Sequence, residues 1–188
     1  MKKKFVAFVL LAAASGLAAQ TSTDDSADIN LLINARLQIR DGKIDQADET
    51  TREFLTKHPE SGQAHFLLGF ILFKEAQQHA AVDSTQEKAR LSLAEYTEGA
   101  KYQKPSSLDL KIVALDYVLL GDMADADTWL TRSLSWNPKD AEAWYDLGRI
   151  KESEKNFPEA EQAFEQSVKL DPLNTKAEEA RKRAAEEH

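Results

Sequence analysis

The sequence predicts an all-α fold of four stacked helical hairpins, and three observations carry that prediction. A pattern of apolar and small residues recurs every 34 residues. The interval from a small residue to a closing proline is also kept: Ala47 to Pro59, Ala126 to Pro138 and Ala160 to Pro172 each span 12 residues. Glycine and proline are scarce, 7 and 5 in 188 residues, and nothing reads as a strand. A two-helix hairpin cannot bury its apolar face alone, so a fixed period of this length means neighbours stacked on one continuous core.

The clearest copy runs Trp144, Leu147, Gly148 and Lys151, then Ala160 and Phe164, then Pro172. One period upstream stand Leu110, Val113, Ala114 and Tyr117, then Ala126, Leu130 and Pro138. The first copy reads Leu31, Asn34, Ala35 and Gln38, then Ala47, Thr51 and Pro59. The second starts on schedule with His65, Leu68, Gly69 and Leu72, but its closing Pro105 comes 46 residues after Pro59, so about a dozen residues are inserted. These positions resemble the tetratricopeptide repeat, W-x2-L-G-x2-Y…A-x3-F…P. The resemblance covers 28–174, divided as 28–61, 62–106 with the insertion, 107–140 and 141–174. It implies a right-handed α-solenoid of four helix-turn-helix hairpins. The helix expected over 175–188, with Ala177, Ala180 and Ala184 as a thin apolar stripe, would cap the array.

Each position has a packing reason. Trp144, Leu147 and Ile150 form a stripe at helical spacing. Gly148 and Ala160 let the paired helices approach, while Phe164 and Val168 fill the space between them. Pro172 ends the second helix, because it has no N–H to donate and restricts the residue before it. Gly42 and Gly121 fall at the turn inside the hairpin, where a positive φ is often needed. Lys155-Asn156 takes that place in the last copy, with Asn as the residue that tolerates a left-handed turn. Lys151 in place of Tyr and Ser167 in place of Ala are expected to loosen packing locally.

The insertion falls between the helices of the second hairpin. Ser84-Thr85-Gln86-Glu87 matches a capping box, which predicts a helix from about Thr85 to Gln103. Its partner is expected over Ser61 to Gln78. Dividing the insertion between them adds ~6 residues to each helix, a protrusion of ~9 Å.

Residues 1–19 read as a signal peptide: Lys2, Lys3 and Lys4, an apolar run from Phe5 to Ala14, then small residues with cleavage after Ala18 or Ala19. Residues 20–27 are polar and read as a flexible leader. The expected product is an exported, soluble periplasmic or secreted protein without direct membrane insertion. The chain has no cysteine, which removes disulfides, thiol chemistry and cysteine-based zinc sites. Lys and Arg total 24 against 32 Asp and Glu; losing three lysines with the leader makes the net charge about −11. Such an acidic balance disfavours nucleic acid, whose phosphates dominate binding.

Catalytic and metal signatures are missing from the sequence. The four histidines, His58, His65, His79 and His188, lack metal-ligand spacing. Asp122, Asp125 and Asp127 lack the glycine and closing glutamate of a calcium loop and fit the start of a helix. No cofactor, metal or enzymatic activity is expected.

The resemblance implies instead a protein or peptide partner in the groove lined by the first helix of each hairpin. Its expected residues are Arg36 and Arg40 from the first copy, and Phe66, Phe70 and Lys74 from the second. Lys111 and Leu115 follow from the third, and Tyr145 and Arg149 from the fourth. Leu32, Ile39, Phe73, Val118 and Glu152 complete the same stripes. An apolar floor with scattered cations suits a ligand bearing carboxylates. The expected function is an interaction scaffold in the bacterial envelope. The alternative is a fixed subunit or assembly factor of a pilus, secretion or outer-membrane complex, and homodimerisation is compatible with either.

Overall fold

The computed structural model describes residues 28, 30–78 and 81–187. The expected signal peptide and leader lie outside the described residues, as do His79 and His188. Among the described residues the regular structure is entirely helical, an all-α helical repeat fold. Helix α1 covers 30–40 and α2 covers Ile44–Lys57. Then come α3 (Gly62–Gln78), α4 (Val82–Gly99), α5 (Ser107–Leu120) and α6 (Met123–Trp136). The last three are α7 (Ala141–Ser153), α8 (Phe157–Leu170) and α9 (Thr175–Glu186). No described helix is long and apolar enough to cross a membrane.

The chain forms two compact units, one ending at Pro59 and one starting at Glu60. In the first, Leu32 and Ala35 of α1 and Ile44, Ala47, Thr51 and Phe54 of α2 are buried. Thr51 stands where the repeat has Phe, and Phe54, three residues later, supplies the missing bulk. Asp28 joins the two ends of this hairpin, taking Lys57 Nζ at 2.9 Å and His58 Nε2 at 2.8 Å.

In the second unit, α3 pairs with α4, α5 with α6 and α7 with α8, and α9 lies on α8. Helices α5, α6, α7 and α9 begin on side-chain caps, Ser106, Asp122, Asp140 and Asn174, each accepting from the N–H three residues on. Ser106 and Asp109 form a full capping box. The expected box at Ser84 does not form. The N-cap of α4 is Ala81, whose carbonyl accepts from Thr85 N–H at 3.0 Å, so Ser84 lies inside the first turn. The helix also stops at Gly99 rather than near Gln103, because the Gly99 carbonyl is taken by a tight turn to Tyr102 and Gln103. Helices α3 and α4 have 17 and 18 residues against 14 for both α5 and α6. The insertion thus lengthens each helix by about one turn, ~5 Å, less than a division of all its residues would give.

Three hairpin turns share one geometry. The left-handed residue donates to the carbonyl three back and the next residue to the carbonyl five back, a Schellman motif. Gly42 (φ 75°) and Gly121 (φ 82°) hold two of them, as the sequence predicts. At the third the left-handed residue is Lys155 (φ 59°), and Asn156 is the N-cap of α8. The expectation that Asn takes the strained angle is corrected by one residue, because the six-residue register of the motif fixes the position whatever side chain stands there.

The residues that couple the helices are small and polar. Ser133 Oγ donates to the Ser107 carbonyl at 2.6 Å, and Ser167 Oγ donates to the Ala141 carbonyl at 2.8 Å. Both serines are fully buried, so Ser167 fastens α8 to the start of α7 instead of loosening it. Lys151 likewise binds: its ammonium reaches Asp127 at 3.0 Å and Glu159 at 3.3 Å, linking α6, α7 and α8.

Candidate functional site

The sequence leaves the second copy without its A-x3-F pair, and the structure supplies it. A Cβ on Gly69 would stand 2.9 Å from the Tyr96 ring, just as one on Gly148 would meet Phe164. Ser92 and Tyr96 are therefore the counterparts of Ala160 and Phe164. The polar Ser92 hides that correspondence in the sequence.

Ser92 has a partner that its counterpart Ala160 cannot have. Its Oγ lies 2.9 Å from the Gly69 carbonyl and 2.5 Å from Asp116 Oδ2. One hydroxyl proton serves two acceptors only as a shared, weaker bond. With Asp116 protonated, its O–H is donated to Ser92 and the Ser92 O–H to Gly69, and both hydrogens are used. Asp116 is wholly buried, and its other carboxyl oxygen has no hydrogen-bond partner. Burial pushes its pKa up to about 8, against a smaller opposing effect of the Ser92 hydrogen bond. The carboxyl is thus neutral near neutral pH and joins α3, α4 and α5 without a charge.

The expected groove residues have different surroundings. In the first unit Arg36 and Arg40 are exposed, Arg40 beside Asp41 at 3.1 Å. In the second unit, Phe66 is buried with its ring 5.8 Å from Tyr96, and it also meets Gly99, where a Cβ would stand 2.7 Å away. Phe73 is buried and Phe70 half-buried in the same cluster, to which Leu115 also packs. Lys74 lies over the rings of Phe70 and Phe73, at 5.5 and 6.0 Å.

Lys111 is only 6% exposed. Its ammonium sits between Glu142 at 2.8 Å and Asp140 at 3.1 Å. Burial lowers its pKa, but the two carboxylates outweigh burial and the net shift is upward. Its charge is spent on joining α5 to α7. Tyr145 is half-buried, its ring 5.7 Å from Phe164, among the alanines of α9. Beside it Glu152 receives Arg183 from α9 at 2.9 Å.

Leu115 and Arg149 do come together. With Val118, Met123, Asp146 and Ile150 they line a cavity of about 90 Å3 between α5 and α7. The Arg149 side chain is 58% exposed, with Asp146 Oδ1 at 3.9 Å. Burial, and next to it the Glu142 charge, push the Asp146 carboxyl up to about 6. This opening pairs an apolar floor with an exposed cation. Among the described residues no three His, Asp or Glu side chains converge as a metal site would need.

The comparisons agree with this architecture. Residues 31–61 and 141–174 each match a family model described as tetratricopeptide repeat. Among curated proteins none matches the chain. The fold resembles the crystal structure of MamA, at 18% identity, covering 85% of this chain and 81% of that one, with a TM-score of 0.65. It resembles a thermophilic TPR protein of Thermus thermophilus, at 18% identity over 84% and 79% of the two chains, with a TM-score of 0.65. It also resembles YrrB, described as a TPR protein with an unusual peptide-binding site, at 16% identity over 89% and 87%, with a TM-score of 0.62. Identities this low carry the fold alone. Repeat matches and fold together support the tetratricopeptide-repeat class.

Proposed function

We propose that this protein is an interaction scaffold that binds a protein or peptide segment along the stripe of Phe70, Leu115 and Arg149. The observation that carries the reading is the opening between α5 and α7, where Leu115 and Val118 form an apolar floor under the exposed Arg149. Apolar surface beside an arginine is the usual composition of an interface anchor. Phe70 and Lys74 extend the stripe along α3, and Tyr145 along α7. Arg36 and Arg40 belong to the corresponding stripe of the first unit. Lys111 contributes by fixing α5 against α7, and α9 serves as the cap of the array. The function is binding and not catalysis, with no cofactor. YrrB, described as having an unusual peptide-binding site, is a precedent for this use of the fold.

The lysines at 2–4 and the apolar run behind them support export to the bacterial envelope, where the partner would be found. A fixed place in an envelope assembly is the second reading, favoured by the same segment. Crosslinked pull-down from native envelope tests the groove, comparing wild type with Leu115→Ala/Arg149→Glu. Loss of a partner by the double variant, at unchanged helical circular dichroism, supports the groove. Equal capture by both proteins refutes it. Size exclusion of native extract separates the two readings, since a fixed subunit never runs alone.

A further inference from the structure

Two clefts occupy equivalent places in successive hairpins of the second unit. One lies between α6, α7 and α8 and is lined by Asp127, Thr131, Trp144, Leu147, Lys151 and Ala163. Thirty-four residues earlier the same positions are Leu93, Thr97, Leu110, Val113, Tyr117 and Trp129, and they line the other, between α4, α5 and α6. The later cleft, about 540 Å3, is polar, crossed by the Lys151 bridges to Asp127 and Glu159. In the earlier one Leu93 and Tyr117 replace Asp127 and Lys151, so no such bridge forms between them, while Asp125 stands at the Glu159 position and Pro105 is added. Its volume is about 330 Å3, within the ~300–1,000 Å3 of ligand clefts. It opens on the Leu110, Val113 and Tyr117 side of α5, a different stripe from Leu115 and Val118.

Beside the cleft stand two cations, Arg132 and Lys104, that lie over tryptophan rings. Trp129, Arg132 and Trp136 follow one face of α6. The Arg132 guanidinium lies 5.4 Å from the Trp129 ring and 5.9 Å from the Trp136 ring. Lys104, next to the Pro105 of the cleft, lies 4.5 Å from the exposed Trp136 ring. Among the described residues neither cation is within ion-pair distance of an Asp or Glu, although the chain has 32 of these against 24 Lys and Arg. Four acidic groups act on the tyrosines of the cleft: Asp125 and Asp122 on Tyr117, and on Tyr96 the buried Asp116 and Asp109, whose carboxylate is held by Ser106 in the capping box. The cleft is thus apolar in the middle, with two cations outside any ion pair at the Trp136 end.

We infer that this cleft is a second docking surface, taking a protein segment that lays an aliphatic or aromatic side chain on Leu93 and Val113 beside the hydrogen-bonded Tyr117–Trp129 pair and places a carboxylate at Arg132 and Lys104. Seven residues of helix separate Trp129 from Trp136, ~10 Å. An extended partner spans that distance in about three residues. The inference does not depend on the α5–α7 groove.

The three tryptophans provide the test, because the Trp144 indole N–H donates to the Pro138 carbonyl in the charged cleft and acts as an internal control. The full chain, labelled with 15N, is titrated with acetylated, amidated Phe-Ala-Ala-Glu. Controls are Phe-Ala-Ala-Gln, Phe-Ala-Ala-Lys and Ala-Ala-Ala-Glu. The expected result is saturable movement of the Trp129 and Trp136 indole signals with Trp144 still. Binding should be about fivefold weaker for the Gln peptide, and weaker again for the Lys peptide. Arg132→Gln and Lys104→Gln, both at exposed positions, should each reduce the preference for Glu over Gln. Equal response to the Glu, Gln and Lys peptides, equal movement of Trp144, or no saturation at millimolar peptide overturns the proposal. Response to phosphatidylglycerol vesicles but to none of the peptides also overturns it, in favour of a membrane surface.

Discussion

Gly148 and Phe164 face each other so closely that a Cβ on Gly148 would stand 2.5 Å from the Phe164 ring. Gly69 and Tyr96 repeat the relationship at 2.9 Å. In the third hairpin the pair is Ala114 and Leu130, both fully buried in one cluster. A methyl group is accommodated only where the ring is replaced by a smaller side chain. Gly148→Ala should therefore lower stability by ~1–3 kcal/mol through overpacking, despite a helix-propensity gain of up to ~1 kcal/mol. At ~2–4 °C per kcal/mol the melting temperature falls by several degrees. Gly148→Ala/Phe164→Leu recreates the Ala114–Leu130 pair and should recover part of the loss. Thermal melts by circular dichroism decide it, and an unchanged midpoint for the single variant would contradict the contact.

Lys155 occupies a left-handed position that glycine holds at two other turns. A side chain in that region costs ~1–2 kcal/mol. Lys155→Gly should stabilise the protein by up to ~1 kcal/mol, since the greater freedom of glycine in the unfolded chain offsets part of the relief. Gly121→Ala should do the reverse and lose ~1 kcal/mol or more. Urea melts with unchanged m-values provide the comparison. A neutral Lys155→Gly would mean the turn does not hold φ positive in solution.

The Ser133 and Ser167 hydroxyls each fasten one helix to the first carbonyl of its partner. Replacing either by Ala keeps the small volume and removes the hydrogen bond, at ~1 kcal/mol each. The two sites lie in different hairpins and share no partner, so the double variant should lose about the sum, ~2 kcal/mol. If both single variants melt like wild type, only the size of the side chain matters there.

Asp116 makes stability depend on pH with an unusual sign. Its carboxyl is held up to about 8 in the folded protein, against 3.8 as its ordinary value. Between these limits the folded chain keeps a proton that the unfolded chain has released. Stability from this group is therefore complete below about pH 4, declines as pH rises to about 8, and then levels off. Asp116→Asn presents a permanent donor to Ser92 and should remove that decline. The difference between variant and wild type should grow by ~1 kcal/mol or more from pH 5 to pH 8. Asp146, raised to about 6, adds a decline of the same sign that ends lower and is common to both proteins. Parallel pH profiles for wild type and Asp116→Asn would show that the carboxyl is ionised in the fold.

Of the groove residues, the repeat resemblance assigned Leu115 and Arg149 to one groove, and the structure sets them around one opening. It could not show that Lys111 meets Asp140 and Glu142, because those lie about a repeat away and pair only when α5 packs on α7. Nor could it distinguish Phe66 as interior from Phe70 at the margin, since both have the same helical phase and differ only in what packs on them. The Trp129–Arg132–Trp136 ladder went unread in the sequence, because its link to Lys104 and Pro105 depends on the α4–α5 connection.

The order of residues was enough to establish the helices, their period, two left-handed glycine turns and the glycine that lets the last hairpin close. Those features follow from local spacing and backbone sterics, which repeat wherever the residues do. Packing between hairpins was needed to establish where α4 begins, which serines fasten the helices, that Asp116 is held neutral, and which of two equivalent clefts is apolar. Each of these depends on burial and on partners distant in the chain, and solvent exclusion there changes the energy of a polar group by more than any local preference does.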